Sequence, residues 1–270
     1  MTTSARFRAA YAEHRAAEGR GSGGLPELLA LPYLRSGPRA SEWAVRARSY
    51  NRFLRAVVAP RARARAPQPL HVLDLGAGNG WLCYRLALQG HWCVALDWRR
   101  DAVDGLGAAA AYRDHLPTPF PRLAASFDGI PLARVFDVVV FNAAIHYSGS
   151  LAHTIAEAAR VTLPGGCVVI LDSPFYRRAR DGERMVAEKR ETARRTWGQR
   201  AADLLALPAI EYLTATRLAE ASAPCGLSWR RHRVWQPLWY ELRPLAALVR
   251  GRRRPSRFDL WEAVVRDASP

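Results

Sequence analysis

The sequence predicts an α/β fold, a mostly parallel sheet with helices on both faces. Three observations predict it. Strand-like and helix-like patterns alternate between residues 70 and 173. Val138–Phe141 and Val168–Leu171 are continuous apolar runs, as strands buried on both faces require. The run Asp74-Leu-Gly-Ala-Gly-Asn-Gly80 joins a strand-like His71–Leu73 to a helix-like Trp81–Ala87, and a second acid, Asp97, closes the next apolar run. Strand, glycine loop, helix, strand and acid is the layout of a nucleotide-cofactor pocket at the carboxyl end of a parallel sheet.

The elements follow in order. Residues 1–20 have helix-forming composition, and Gly19–Gly24 breaks the pattern. A short helix or turn is expected from Pro26 to about Leu34. Ser41 reads as the N-cap of a helix to Val58, because Trp43, Ala47, Tyr50, Leu54 and Val57 recur at helical spacing. Ala59–Pro69 reads as a basic, proline-bounded linker. Strands are expected near 70–75, 92–97, 122–126, 136–142 and 167–173, with helices near 79–89, 101–113 and 149–162. Few residues separate the third and fourth strands, so that crossover is abbreviated. Tyr176–Arg200 reads as one charged helix with i,i+4 pairing, and Thr214–Ser222 as another. Leu227–Trp235 alternates like a sixth strand, and Phe258–Val265 reads as a seventh. The insert between them, Pro237–Ser256, mixes Trp and Leu with a terminal arginine run. An interfacial helix on anionic lipid has this composition. So does a helix burying its Trp and Leu against the sheet edge with its arginines solvated, and the second is the expectation.

The loop chemistry narrows the cofactor. A dinucleotide loop reads G-x-G-x-x-G, and its last glycine lets helix and strand pack closely. Here the spacing is G-x-G-x-G, and Trp81 stands at the third glycine's position. Asp74, two residues before Gly76, repels a pyrophosphate and attracts a cation. S-adenosylmethionine carries a sulfonium and an α-ammonium and has no phosphate. Asp97 lies at roughly the twenty-residue offset of an acid that accepts from ribose hydroxyls. Trp81 disfavours a nicotinamide oxidoreductase.

At this point the sequence resembles the class I S-adenosylmethionine-dependent methyltransferases, of the type 11/25-like domain. Asp74–Gly80 looks like their first motif and Ala95-Leu-Asp97-Trp98 like the second. Ser126-Phe-Asp-Gly-Ile-Pro-Leu132 is similar to the segment that meets the adenine. Phe136–Tyr147 is similar to the fourth strand and its active-site loop, and Leu163–Asp172 to the Pro-Gly-Gly turn and fifth strand. The resemblance covers about residues 67–177. It implies a Rossmann-like sheet of seven strands, mostly parallel, whose final strand is antiparallel. It implies three regions: an N-terminal helical lid and linker over 1–66, a cofactor-binding core over 67–177, and a helical substrate-side region with a C-terminal hairpin over 178–270, which shares one structural domain with the core.

The candidate cofactor-binding residues are Asp74, Gly76, Ala77, Gly78, Asn79, Gly80, Asp97, Trp98, Phe127, Asp128, Asn142 and Arg46. The glycines let backbone approach a ligand. Trp98 stacks on an adenine or packs in the core. Asp128, with the Phe127 backbone, meets the adenine amino group or simply caps an Asp-Gly turn. Arg46 is placed to pair with the cofactor carboxylate. His146 is the candidate general base, with an ordinary pKa near 6.5; fixing its loop is the alternative role. Tyr147 beside it is a candidate for orienting the acceptor. Tyr33, Tyr50, Asp172 and Tyr176, with His146, are the candidate acceptor-pocket residues, although Tyr50 also has the spacing of a helix packing on the core. No metal is expected.

Composition sets outer bounds. At 270 residues and 49% hydrophobic, the chain can bury a sizeable core. No run is long enough for an apolar membrane span, and Met1–Arg8 lacks a secretory signal's apolar stretch. Cys83, Cys93, Cys167 and Cys225 have no zinc-like spacing and read as small buried hydrophobes of a reducing cytoplasm. The net charge of +16 comes almost wholly from arginine in an alanine-rich chain, a bias that a GC-rich genome also produces. Nucleic acid or an anionic membrane is thus a possible partner, but a small-molecule or lipid-like acceptor is the expectation. Methylation of RNA or protein is the alternative; Asn142-Ala-Ala-Ile replaces the Asn-Pro-Pro-Tyr-like tetrad of many base-methylating enzymes. A non-catalytic, cofactor-binding regulator is a third reading.

Overall fold

The computed structural model describes residues 3–21, 23–198, 200–207 and 209–266. Among them seven strands form one sheet: β1 His71–Leu75, β2 Trp92–Asp97, β3 Arg122–Ala124, β4 Phe136–Asn142, β5 Thr162–Leu171, β6 Trp229–His232 and β7 Leu260–Val264. Their order across the sheet is β3-β2-β1-β4-β5-β7-β6. β1 to β5 pair in parallel, and β7 runs antiparallel to both β5 and β6. This is the sheet of the class I methyltransferase fold. The order reverses at β1, which lies between β2 and β4, and such a switch point opens a crevice at the strands' carboxyl ends.

Alternation along the strands decides which side chains share a face. Val72, Cys93, Ala95, Val138, Val140 and Val169 point into one core. Helices α3 (Ala40–Phe53) and α5 (Trp81–Ala87) cover it with Trp43, Tyr50, Phe53, Leu82 and Leu86. Leu73, Leu75, Val139, Phe141, Val168 and Ile170 point into the other, under α6 (Leu151–Val161) and α9 (Ala215–Ser222). Ser150 and Thr214 cap these two helices by accepting from the amides of His153 and Arg217.

The remaining helices are α1 (Thr3–Ala17), α2 (Gly24–Ala30), α4 (Ala59–Arg65), α7 (Ala179–Trp197), α8 (Arg200–Leu204), α10 (Leu238–Glu241) and α11 (Arg243–Val249). None among the described residues is long and apolar enough to cross a membrane. Ser22 and Gln199 lie outside the described residues.

Three local expectations are corrected. The helix expected from Ser41 begins at Ala40, and it does not end at Val58. It passes through a π turn, Leu54–Val58, directly into α4, so most of the expected linker is helical. The wider turn accommodates Pro60, which cannot donate an amide and whose ring crowds the carbonyl one turn earlier. The helix expected over 101–113 forms only as a 3-10 segment, Ala108–His115. Asp101 Oδ1 accepts from the amides of Val103, Asp104 and Gly105 at 3.2, 2.9 and 3.2 Å, and such local bonds compete with a helix. Finally, the insert does not bury its apolar side chains against the sheet edge. Trp235, Leu238, Trp239, Leu242, Leu245, Leu248 and Val249 are all exposed.

Candidate functional site

The carboxyl ends of β1, β2, β4 and β5 stand level. Asp74 pairs with Ala95 and Val140, and Asn142 pairs with Leu171, so Gly76, Asp97 and Asn142 reach the same edge. Asp74, Asp97 and Asn142 continue the alternation of Val72, Ala95 and Val140. They therefore point to the face covered by α3 and α5.

The glycine loop turns sharply above them. The amides of Gly76 and Ala77 both donate to Leu96 O, at 2.8 and 3.0 Å. Gly78 N donates to Asp97 Oδ2 at 2.7 Å, and Arg99 N to Asp97 Oδ1 at 2.8 Å. Gly76 and Gly78 have φ of 74° and 53°. A Cβ on Gly76 would lie 2.4 Å from Ala144 Cβ, so this position needs glycine for space as well as for backbone angle. Asn79 Oδ1 accepts from Trp81 N and holds the turn into α5.

Buried polar atoms without partners mark the site. Asp74 Oδ1, Asn142 Oδ1 and Asp172 Oδ1 are buried, and no protein group bonds them. All three are acceptors at strand ends. Burial, and then the charge of Asp97, pushes the Asp74 carboxyl well above the usual range. Burial also raises Asp97, offset in part by the amides of Arg99 and Gly78. Asp172 is pushed up to about 6, chiefly by burial, against the opposing pull of Arg46 and Ser49. Desolvated carboxylates short of donors are a receptacle for a cation and for hydroxyl or ammonium donors. Three non-glycine residues with left-handed φ, Ala143 (55°), Asp172 (48°) and Glu211 (62°), sit in the loops at this edge. Glu211 N donates to His146 O, tying the loops together.

His146 and Tyr147 form a short 3-10 turn after β4. His146 Nδ1 lies 3.3 Å from Ser173 Oγ, which bridges the β4 and β5 loops. Burial, with the charges of Lys189, Arg46 and Arg15, drives the His146 pKa down to about 3. The imidazole is therefore neutral at neutral pH but weakly basic. That disfavours it as a general base and suits the loop-fixing role. Tyr147 is exposed, and its ring meets Tyr11 edge-on at 5.9 Å.

Helix α1, within the 1–66 region expected to form a lid, lies over this edge, although no motif marked its contact residues. Tyr11 stacks with Phe7 at 5.6 Å and contacts Trp98 at 6.0 Å. Arg15 makes a two-pronged bond to Asp104 Oδ2, through Nε at 2.9 Å and Nη2 at 2.6 Å. Arg99 joins the same carboxylate at 3.0 Å. Trp98 thus faces α1. His14 meets Trp197, at the end of α7, at 5.7 Å. Tyr11, Arg15, Arg99 and Asp104 are the residues that reading the motifs missed. For Tyr11 and Arg15 the sequence signal was an aromatic–arginine mixture in residues 7–15.

The other candidates are engaged in packing and pairing. Tyr50 Oη accepts from Gln89 Nε2 at 2.9 Å, beyond the far end of α5 from the glycine loop, and its ring packs on Trp81. Tyr33 bonds Asn51 beside it and lies under Arg85. Both pack the N-terminal helices onto α5 and do not reach the pocket. Arg46 pairs with Glu42 at 3.1 Å and lies over Trp43, still near enough to Asp172 and His146 for its charge to act on both. Asp128 Oδ1 accepts from Thr154 at 2.5 Å, and Oδ2 lies 3.4 Å from Ser126 Oγ. Its carboxylate ties the β3–β4 loop to α6. Phe127 is buried against Phe141 and beneath Gly76. Tyr176 is buried, and Arg253 donates to its hydroxyl at 3.1 Å.

Residues 73–170 match the family described as "Methyltransferase domain". A malonyl-[acyl-carrier protein] O-methyltransferase of Erwinia pyrifoliae is 34% identical over 107 residues, 39% of this chain and 38% of that protein. A demethylmenaquinone methyltransferase of Mycolicibacterium vanbaalenii is 36% identical over 102 residues, 37% of this chain and 41% of that protein. The chain thus spans about two fifths of the length of these curated relatives. Among solved structures, the YcgJ protein of Bacillus subtilis superposes with a TM-score of 0.57 at 13% identity, over 82% of this chain and all of that one. Magnesium protoporphyrin IX methyltransferase of Synechocystis PCC 6803, with bound SAH, superposes with a TM-score of 0.55 at 16% identity, over 88% and 92% of the two chains. These two likenesses establish the fold.

Two outcomes follow from this geometry. Gly76→Ala meets both the left-handed φ and the contact with Ala144, so it should lower stability by at least about 1 kcal/mol, read as a lower melting temperature. Asp172, with its pKa raised to about 6, binds a proton in the folded state that the unfolded chain releases. Its contribution to stability is therefore fully present below about pH 4 and is lost as pH rises through about 6. Asp172→Asn, which tolerates the left-handed backbone, should melt above the unmodified protein at pH 7, and the gap should close by about pH 4.

Proposed function

We propose that this chain, which carries a class I S-adenosylmethionine-dependent methyltransferase domain over residues 73–170, transfers a methyl group by direct in-line displacement to a small-molecule or lipid-like acceptor. The observation that carries the reading is the row of unpartnered acceptors, Asp74 Oδ1, Asn142 Oδ1 and Asp172 Oδ1, at the strand ends beside the glycine loop. The donor set suits this cofactor: carboxylates for a cationic, phosphate-free ligand and glycines where a Cβ would intrude. Asp97 would accept from the ribose hydroxyls, since each of its oxygens keeps a lone pair after bonding one amide. Asp74 and the loop backbone would hold the cationic amino-acid end. Bound there, S-adenosylmethionine supplies an electrophilic methyl on its sulfonium.

The protein's task is then alignment and exclusion of water, and orientation alone supplies roughly 7–11 kcal/mol in favourable cases. α1 covers the edge with Tyr11 and Trp98, and the β4 and β5 loops present His146, Tyr147 and Asp172 on the acceptor side. His146, neutral and tied to Ser173, orients the acceptor through its remaining ring nitrogen. The small-molecule or lipid-like preference draws on the names of the related enzymes, which give demethylmenaquinone and a malonyl group borne on an acyl-carrier protein.

Calorimetry with S-adenosylhomocysteine tests the pocket. Loss of a charge-assisted hydrogen-bonding pair should make Asp97→Ala bind about 10- to 100-fold more weakly than the unmodified protein; equal affinity would refute the assignment. A proton NMR titration tests the imidazole. The His146 ring signals should stay fixed between about pH 5 and 8, because its pKa lies near 3; a midpoint inside that window would restore it as a general base.

A further inference from the structure

The β6–β7 insert presents an amphipathic ridge whose apolar side faces solvent. α10 passes into α11 with little interruption: Leu242 has φ −80° and ψ −9°, and its amide bonds to Leu238 O. At 100° per residue, Leu238, Leu242, Leu245 and Val249 fall on one narrow stripe. Their exposures are 74, 49, 59 and 81%. Trp239 and Leu248 flank the stripe, and Trp235, 65% exposed, extends it under the Arg233 guanidinium, 3.7 Å from the ring.

The orientation is held from the inner side. Tyr240 is buried; its hydroxyl donates to Ser256 O and accepts from Phe258 N. Glu241 accepts from both terminal nitrogens of Arg257, at 2.9 and 3.0 Å. Arg253 anchors the exit to Glu188 and Tyr176. The helix cannot roll its leucines inward without breaking these bonds. Soluble proteins seldom leave a contiguous apolar patch of this kind unless something binds it.

The charge around it indicates what binds. Arg250, Arg252 and Arg254 are exposed at the end of the stripe, and Arg233 and the Asp259-paired Arg231 are exposed at its start. A second copy of the chain would bring the same arginine fringes face to face. An apolar ridge of Trp and Leu edged by arginines matches a planar interface whose headgroups are negative and whose interior accepts leucine. β6 runs parallel to β5, so the insert leaves the sheet at the same edge as Asp172. Arg48 of α3 donates to Trp235 O at 3.1 Å, which fastens it beside the acceptor side.

We infer that the ridge over residues 235–254 docks this protein on an anionic lipid bilayer, with the carboxyl edge of the sheet close to the membrane surface. Docking itself does not rest on the methyl-transfer reading. The consequence that the acceptor is drawn from the membrane does.

The test is co-sedimentation of the full chain with large vesicles of pure phosphatidylcholine or of phosphatidylcholine with a quarter phosphatidylglycerol. Binding should be at least about tenfold tighter to the anionic vesicles and should weaken with salt. Leu242→Asp/Leu245→Asp should lose about tenfold or more on anionic vesicles, as should Arg250→Ser/Arg252→Ser/Arg254→Ser. Their circular dichroism and S-adenosylhomocysteine affinity should stay those of the unmodified protein. Equal binding to both vesicle types, or unchanged binding by the leucine variant, overturns the inference. A concentration-dependent dimer that Leu242→Asp/Leu245→Asp dissolves would overturn it too, by assigning the ridge to a second copy. Vesicle binding without S-adenosylhomocysteine binding would leave docking intact and remove the methyl-transfer reading.

Discussion

Three loop amides organise the carboxyl edge of this sheet. Gly76 and Ala77 donate to Leu96 O, and Gly78 to the Asp97 carboxylate. They splice the end of β1 onto the end of β2 without a continuing strand. The backbone must double back within a few residues to do so, which forces positive φ at Gly76 and Gly78 and brings Gly76 against Ala144 at the end of β4. With the loop lifted above the strand ends, Asp74 Oδ1 and Asn142 Oδ1 are left buried without a protein partner. Displacement of that loop would cover the acceptors, lose the seat of Asp97 and part β1 from β4's loop together.

The electrostatics of the edge is a standing imbalance. Asp74 and Asp172 are desolvated carboxylates with a free oxygen each. Nearby cations are already engaged: Arg15 and Arg99 with Asp104, Arg46 with Glu42. A fold optimised for stability alone would replace such acids with apolar residues of similar volume. Keeping them trades stability of the empty protein for complementarity to a ligand that brings its own positive charge and donors.

Period and punctuation made most of the sheet legible. The strands β1, β2 and β4 fall where apolar runs and the glycine loop put them, and the order of motifs implied the topology. The failures have local causes. Pro60 looked like a stop because a π turn cannot be seen in a pattern of residue types. Residues 101–107 looked helical because the competing bonds of Asp101 depend on side-chain geometry. Tyr33 and Tyr50 looked like pocket residues because aromatic character does not reveal whether a ring lines a cavity or packs one helix on another. Arg46 and Asp128 had the right chemistry for their assigned tasks, but nearer partners, Glu42 and Thr154, had already taken it. Tyr11 and Arg15 were invisible because their partners, Trp98, Tyr147 and Asp104, lie about ninety residues away or more in the chain, and no local rule connects such positions.

The covering helix has a kinetic meaning. α1 is joined to α2 through glycines whose φ values, 68° at Gly19, 76° at Gly21 and 58° at Gly24, lie in the left-handed region. Among the described residues, its hold on the edge includes the forked Arg15–Asp104 ion pair and the rings around Tyr11. A ligand beside Asp97 would lie next to Trp98 and so close to Tyr11. If α1 must undock for exchange, residence time would follow its undocking, while equilibrium affinity would follow the strand ends. The two quantities are governed by different residues and so can be tuned apart, with substitutions in α1 altering on- and off-rates in step.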